Sequence, residues 1–257
     1  MKVTFLGTGT SFGIPIPGCR CRVCGSTKSK NRRLRPAVLV STGGKNILID
    51  TPPELRIQLV ENFVDRIDAI LFTHCHADHV YGLDDIRVFS MVKRMPVYGS
   101  PNTLNEIKRI FPYIFIRTQQ GGGKPKLKLT GVHGRFRFSG ITIIPLPVFH
   151  GKRSVFGFRI GAFAYIPDCS AIPAATFVLL RDLDVLALDG LRKEPHPTHF
   201  SLDQAIEAAR RIGARQTFLT HISHNLDHYS TNAALPAGVQ LAYDRLHVTI
   251  RQTREPR

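Results

Sequence analysis

The chain has 257 residues, of which 43% are hydrophobic, and this composition is typical of a globular protein with a substantial core rather than of a disordered chain. No apolar run approaches the ~18 residues of a membrane span, and the first strand reaches a glycine-rich turn too early for a signal peptide. We therefore expect a cytoplasmic protein with no membrane partner. The 35 Lys and Arg exceed the 19 Asp and Glu by +16, which favours anionic partners through the long-range field.

The first half of the chain predicts strands that alternate with helices. Short apolar runs predict strands at 3–6, 37–41, 45–50, 68–72 and 96–99, and the second and third of them flank Gly43 and Gly44 as an antiparallel hairpin. Apolar residues at helical spacing predict helices at 52–60, 80–91 and 104–111. Residues 117–134 contain a glycine run and several lysines, and they are predicted to be a mobile connection within one architecture rather than a domain linker.

The second half continues the same alternation. Strands are predicted within 136–149, broken at Ser139 and Gly140, and at 155–160, 163–166, 183–189 and 216–219. Ser201 and Gln204 have the spacing of a capping box, which predicts a helix that ends at Gly213.

Three of the five cysteines form a tight cluster, Cys19, Cys21 and Cys24. In a reducing compartment such a cluster is better explained by thiolate metal ligands than by disulfides, and a zinc held by three cysteines requires a fourth ligand. The other two, Cys75 and Cys169, each stand beside a candidate metal ligand and are interpreted as small buried residues rather than nucleophiles.

A second cluster follows the predicted strand 68–72, where three imidazoles and a carboxylate fall within six residues: His74, His76, Asp78 and His79. Residues two apart in an extended segment point the same way, so His74 and His76 can share one ion. Asp78 and His79 come where the chain turns into a helix and can face a second ion. The spacing differs from that of helical zinc proteases, whose histidines are four apart. The cluster therefore predicts a two-metal site.

Potential ligands also follow other predicted strands. His74, His150, Asp168 and His221 each come at the end of a different one. Histidines of a hydrophobic core have no reason to prefer strand ends, so this recurrence favours one shared site at a sheet edge.

These residues, taken in order, resemble the motifs of the metallo-β-lactamase superfamily: 5–9 (Phe-Leu-Gly-Thr-Gly), Asp50, the cluster at 74–79, His150, Asp168 and His221. The resemblance spans nearly the whole chain. It implies an α/β fold, the αββα sandwich of two mixed β-sheets flanked by helices. It further implies a single domain over 1–257, with a zinc-binding loop at about 13–36.

The resemblance also implies a role for each residue. His74, His76 and His150 would hold one divalent metal, Asp78, His79 and His221 the other, and Asp168 would bridge them. Asp50 would orient a ligand. Zinc and manganese are the expected metals, with iron as a third choice, because His and carboxylate ligands suit all three.

Within the superfamily, the cysteine cluster together with His221 and His224 resembles the PhnP family of phosphoribosyl cyclic phosphodiesterases. This implies a structural zinc held by Cys19, Cys21, Cys24 and His224. It also implies a catalytic acid at the position of His199, for which His196 is the competing candidate. The chain departs from that family at 112–134 and 191–198, which leaves the substrate open.

The expected activity is that of a phosphodiesterase, in which a hydroxide held between two metals attacks a small cyclic phosphate such as phosphoribosyl cyclic phosphate. His199 would protonate the leaving oxygen, and Asp78 would help to manage the proton of the water.

A nuclease of the tRNase Z kind would suit the charge of +16, but the chain has no long inserted arm to clamp tRNA. A PqqB-like cofactor-biosynthesis protein is the third alternative. The expected partner is a small anionic phosphodiester, with nucleic acid less favoured, and a homodimer is the expected assembly.

Overall fold

The computed structural model describes residues 1–117 and 123–251. Within them lie fourteen β-strands, which are, in chain order, β1 (Lys2–Gly7), β2 (Ala37–Thr42), β3 (Lys45–Ile49), β4 (Ala69–Leu71), β5 (Met95–Gly99), β6 (Leu127–Gly131), β7 (Phe136–Phe138), β8 (Ile141–His150), β9 (Arg153–Ile160), β10 (Phe163–Ile166), β11 (Val185–Asp189), β12 (Gln216–Thr220), β13 (Val239–Leu241) and β14 (His247–Thr249).

The same residues contain seven α-helices, which are α1 (Leu55–Glu61), α2 (Ala77–Val80), α3 (Pro101–Ile110), α4 (Pro112–Phe115), α5 (Ala174–Leu179), α6 (Leu202–Ile212) and α7 (His228–Ala234). Short 3-10 helices cover Ser29–Asn31 and Leu83–Phe89. None of the helices in the described part of the chain has the length and apolar character needed to cross a bilayer.

The strands form two sheets of seven, each with parallel and antiparallel neighbours. The first has the order β14-β1-β2-β3-β4-β5-β6, and the second has the order β13-β12-β11-β10-β9-β8-β7. Helices flank both sheets, so the predicted sandwich of two mixed sheets is confirmed.

An apolar core joins the inner faces of the two sheets. Phe5 of β1 packs against Phe218 of β12 with ring centroids 5.6 Å apart, and Phe158 and Tyr165 of the second sheet are completely buried in the same core. Each fully buried large apolar side chain stabilises the fold by about 1.5–3 kcal/mol, so this layer holds the sheets in a fixed relation. Two further cores lie under α1 and α3 on one side and under α6 on the other.

The prediction of a mobile connection at 117–134 was wrong for its later part. Residues 127–131 form β6, which pairs in parallel with β5 at the edge of the first sheet. Leu127 is buried while Lys126 and Lys128 are exposed, which is the alternation of an edge strand whose lysines discourage pairing with another molecule. The charges of Lys126 and Lys128 led to the prediction of a solvated loop, because lysines are also common in such loops. The start of the glycine run, with residues 118–122, lies outside the described residues.

The single helix predicted at 80–91 was also wrong, because α2 stops at Val80 and a 3-10 helix takes over at Leu83. Gly82 lies between them and donates its N–H to the Thr51 carbonyl at 2.8 Å. A Cβ at this position would run into the Pro52 carbonyl and would lie 2.8 Å from Leu55 Cβ. The close approach of the chain to the turn after Asp50 therefore ends the helix.

Substitution Gly82→Ala is expected to lower the free energy of unfolding by about 2 kcal/mol, because the new methyl group has no space between Pro52 and Leu55. Gly134→Ala is the matched control, since an added Cβ there would meet no atom within 4 Å. Denaturant unfolding of both variants measures the difference. Equal stabilities would contradict the close packing at Gly82.

Candidate metal centre

The centre lies where strands of both sheets end. The chain leaves β3 at Asp50 and β12 at His221, and both residues have positive φ angles, 66° and 58°. Non-glycine residues rarely adopt this conformation, and where they do it often serves a functional site. The tight turns bring both side chains to the sheet edge beside His74, His150 and Asp168.

The predicted ligands form two groups of donor atoms, and the atoms of each group lie within 4.8 Å of one another. One group contains His74, His76, His150 and Asp168, and the other contains Asp78, His79 and His221. The family resemblance implies the same division of the histidines and Asp78, with Asp168 shared between the two metals.

Asp168 lies between the two groups. Its Oδ2 is 3.8 Å from the Nε2 atoms of both His74 and His150, and 3.6 Å from His221 Nε2. Its Oδ1 is 3.1 Å from His79 Nε2. One carboxylate thus faces both groups, which is the position required of a bridging ligand.

Residues behind the ligands fix the orientation of the rings. Asp50 accepts hydrogen bonds from the Thr73 N–H at 2.9 Å and the Thr73 hydroxyl at 2.8 Å, and its Oδ2 is 2.8 Å from His79 Nδ1. His150 donates from Nδ1 to the Thr198 carbonyl at 2.7 Å. Such contacts leave Nε2 free for a metal, so Asp50 has the orienting position expected from the sequence.

The electrostatics of the centre suit cations. Burial lowers the pKa values of His74, His76 and His150, which keeps these rings neutral with free lone pairs. Burial alone would raise the pKa of Asp168, but the neighbouring histidines His221 and His79 hold it well below its usual range.

The carboxylates around His79 favour a positive charge at the middle of the centre. Burial opposes a charge on His79, yet Asp168, Asp78 and Asp50 outweigh burial and raise the pKa of that ring well above its ordinary value. His79 Nε2 and Asp168 Oδ1 are buried and have no hydrogen-bond partner among the described residues. Three buried carboxylates among imidazoles, with unpartnered atoms on Asp168 and His79, fit divalent metals.

The cysteine cluster forms a separate centre. His224 Nδ1 lies 3.4, 3.5 and 3.6 Å from the sulfur atoms of Cys19, Cys21 and Cys24. The hydrogen bond from the Cys24 N–H lowers the pKa of Cys21 to about 6, whereas burial raises that of Cys24 to about 11. Three thiols and one imidazole at this separation are a donor set suited to structural zinc.

A short piece of backbone connects the two centres. Ile222, between His221 and His224, accepts a hydrogen bond from Thr10 N at 3.1 Å and donates to the Thr8 carbonyl at 2.9 Å. The glycine-rich turn after β1 therefore supports both a ligand of the main centre and the cysteine loop.

His199 lies at the main centre, beside a residue that the sequence argument missed. Its Nδ1 is 2.8 Å from Asp189 Oδ2, and its Nε2 is 3.9 Å from Asp168 Oδ2. Asp189 ends β11 and is completely buried. The rule that ligands follow strand ends could have found it. His199 also belongs to a third possible donor group with Asp168 and His221.

The remaining candidates lie farther out. The ring of His196 is 5.2 Å from that of His199 between centroids, and His196 belongs to none of the donor groups found among the described residues. Cys169 is buried as expected, but Cys75 is only half-buried and lies outside every donor group found among the described residues.

Residues 45–222 match the model of the beta-lactamase superfamily domain. The whole chain is also similar to the octanoyltransferase of Porphyromonas gingivalis, with 37% identity over 255 residues, which is 97% of this chain and 52% of the relative. The chain therefore spans about half the length of that protein.

Two solved structures are similar in fold over almost their full lengths. A new diphosphatase from the PhnP family has 44% identity and a TM-score of 0.91, covering 96% of both chains. Zinc-bound PqqB from Methylobacterium extorquens has 20% identity and a TM-score of 0.79, covering 97% of this chain and 100% of the other. The family and the first neighbour support a hydrolase, and the second shows the fold alone.

Substitution Cys21→Ser is expected to remove about one zinc per chain, because a hydroxyl is a poor replacement for a thiolate in a zinc site. Metal content measured on purified protein and limited proteolysis of the 13–36 loop test this. The control is Arg20→Ala, which changes an exposed residue of the same loop and leaves the zinc in place. Unchanged zinc content in Cys21→Ser would contradict the assignment of the cysteine cluster as a zinc site.

Substitution Asp50→Asn is expected to weaken the binding of one main-centre cation by about 10–100-fold, because it removes the carboxylate that orients His79. Asn tolerates the left-handed backbone of this position, so the fold should persist. Competition with a chromophoric chelator gives the affinity. Asp65→Asn, at an exposed acid, is the control, and equal affinities in both variants would contradict the role of Asp50.

Proposed function

The chain belongs to the metallo-β-lactamase superfamily, and on this basis we propose that it is a metal-dependent hydrolase that cleaves phosphodiesters with two divalent cations. The observation that carries the proposal is the position of Asp168 between two groups of histidines, with distances of 3.1–3.8 Å to four of their rings. A full set of donors at one sheet edge argues against a non-catalytic protein, which was one form of the PqqB-like alternative.

His74, His76 and His150 would hold one cation and Asp78, His79 and His221 the other, with Asp168 shared. When bound, such a pair supplies a nucleophile at neutral pH and neutralises charge on the phosphoryl oxygens. The donor set suits zinc, manganese and iron.

The chain itself supplies the proton for the leaving oxygen, through His199 and Asp189. Burial raises the pKa of Asp189 and lowers that of His199, which favours a protonated Asp189 that donates to His199 Nδ1 across the 2.8 Å contact. With Nδ1 as the acceptor, the hydrogen of the neutral ring lies on Nε2, which is 3.9 Å from Asp168 Oδ2. This arrangement supports His199 over His196 as the acid. Asp78 is the candidate for the proton of the attacking water.

The favoured substrate is a small cyclic phosphate, such as a phosphoribosyl cyclic phosphate. The 44% identity to a PhnP-family diphosphatase favours a diphosphate as a second candidate. In both substrates the leaving group is a poor one that benefits from protonation, which is the step assigned to His199.

The proposal is tested by assaying the metal-loaded protein on bis(p-nitrophenyl) phosphate, cyclic ribose phosphates, ADP-ribose as the diphosphate and a tRNA precursor. We expect hydrolysis of a small phosphate ester or diphosphate and no specific cleavage of the tRNA. Activity on none of these with both metals present would contradict a phosphodiesterase.

Substitution His199→Ala is expected to lower kcat on cyclic ribose phosphate by about 10²–10⁴-fold, the usual contribution of a general acid. The loss on bis(p-nitrophenyl) phosphate should be much smaller, because nitrophenolate leaves without a proton. Asp189→Asn should also lower kcat more on cyclic ribose phosphate than on bis(p-nitrophenyl) phosphate, but by a smaller factor than His199→Ala. Equal losses on the two substrates would instead mean that His199 acts on the metals or on the fold.

A further inference from the structure

The segment 191–199, called the His196 loop below, lies beside the metal centre and has polar groups that the proposed mechanism does not use. It runs from the end of β11 to the start of α6, and the chain is anchored at both ends. Leu191 donates its N–H to the Phe200 carbonyl at 3.1 Å, and Leu202 donates to the Arg192 carbonyl at 2.7 Å.

Side chains hold the middle of the loop. Arg192 donates from Nε to the Glu194 carbonyl at 3.3 Å and from Nη2 to the Pro195 carbonyl at 3.0 Å. These bonds shape the turn that leads into His196. The guanidinium of Arg192 therefore stays close to the imidazole ring.

The far end of the loop is tied to the metal centre through Thr198. Its carbonyl accepts the hydrogen bond from the ligand candidate His150, at 2.7 Å. Thr198 also packs on Gly151, where an added Cβ would lie 2.8 Å from Thr198 Cγ2. The position of His196 is thus fixed relative to the metals.

The hydrogen bonds of His196 determine which of its nitrogens carries a proton. Its Nδ1 is 3.3 Å from Thr198 N and 3.1 Å from Thr198 Oγ1. A backbone N–H can only donate, so Nδ1 is the acceptor and the hydrogen of the neutral ring lies on Nε2. Nε2 has no hydrogen-bond partner in the described ranges 1–117 and 123–251, and the half-buried ring leaves it accessible.

We propose that His196 binds a second phosphoryl group of the substrate, one that is not cleaved, by donating a hydrogen bond from Nε2. The proposal rests on the phosphoesterase function above and names the substrate class of the same site. The second phosphoryl group is either the leaving phosphoryl of a diphosphate or a phosphate elsewhere on a cyclic sugar phosphate.

The local chemistry favours an anion at this position. The ring of His199 lies 5.2 Å from that of His196 between centroids, and the Arg192 guanidinium is held at the carbonyl of the preceding residue, Pro195. Lys193 of the same loop is exposed. Glu194 is the sole acid of the loop and is exposed. A hydrogen bond to a phosphoryl oxygen is charge-assisted, and this makes it stronger than one to a sugar hydroxyl.

The first test measures binding without turnover. Inorganic pyrophosphate and inorganic phosphate are titrated calorimetrically into the metal-loaded protein and its variants. His196→Asn keeps an acceptor for Thr198 but removes the outer donor, and it should weaken pyrophosphate binding by about tenfold. His196→Gln places an amide N–H near the position of Nε2 and should recover most of the affinity. Phosphate affinity should change less than twofold in both variants.

The second test separates the two sources of the second phosphoryl group. The variants are assayed on ADP-ribose and on ribose cyclic phosphate with and without a 5-phosphate, and bis(p-nitrophenyl) phosphate is the control substrate without a second phosphoryl group. His196→Asn should raise KM about tenfold at unchanged kcat only for the substrate whose second phosphate occupies the subsite.

Two outcomes would overturn the inference, and a third would overturn only the proposed function. Equal losses of pyrophosphate and phosphate affinity would mean that His196 acts only through Thr198 and His150. Unchanged affinities in His196→Asn would mean that Nε2 contacts no phosphoryl group. A wild-type protein that binds pyrophosphate through His196 but hydrolyses none of the substrates would refute the proposed function and leave the subsite standing.

Discussion

The buried carboxylate of Asp168 is the group on which the centre depends. It faces His79 at 3.1 Å and three further imidazoles at 3.6–3.8 Å, and only 3% of its side chain is exposed. An uncompensated charge at this depth would be strongly destabilising. The surrounding donor atoms therefore fit as one unit around cations, which would compensate the charge of Asp168.

This unit exists only when both sheets are assembled. His74 and His79 follow β4 of the first sheet, whereas His150, Asp168 and His221 follow β8, β10 and β12 of the second. Each donor group takes ligands from both sheets, and the core between the sheets, with Phe5 against Phe218, sets the distance between those ligands. Metal binding and sheet packing are consequently linked, since cations bound across the edge stabilise only the assembled sandwich. The ligands of one sheet alone would complete neither donor group.

Much of this organisation can be predicted from the sequence, because strands are short apolar runs and ligands follow them directly. The sandwich was predicted through a family resemblance, while the convergence of strand ends was predicted from the residues. Asp189 was missed although it ends a strand, because a single aspartate has no motif spacing and its contact with His199 depends on the path of the loop between them. β6 was missed because its lysines, which protect an edge strand, also occur in solvated loops. The hydrogen-bond partners of His196 could not be predicted from the sequence either, because they depend on how the loop folds.

Ile222 gives the two metal centres a shared mechanical support. Its backbone bonds to Thr8 and Thr10 lie between His221, which faces the main centre, and His224, which faces the three cysteine sulfurs. Only Ile222 and Ser223 separate the two donor residues along the chain. A displacement of the cysteine loop that moves His224 is therefore expected to reach His221 as well, so that damage at one centre is felt at the other.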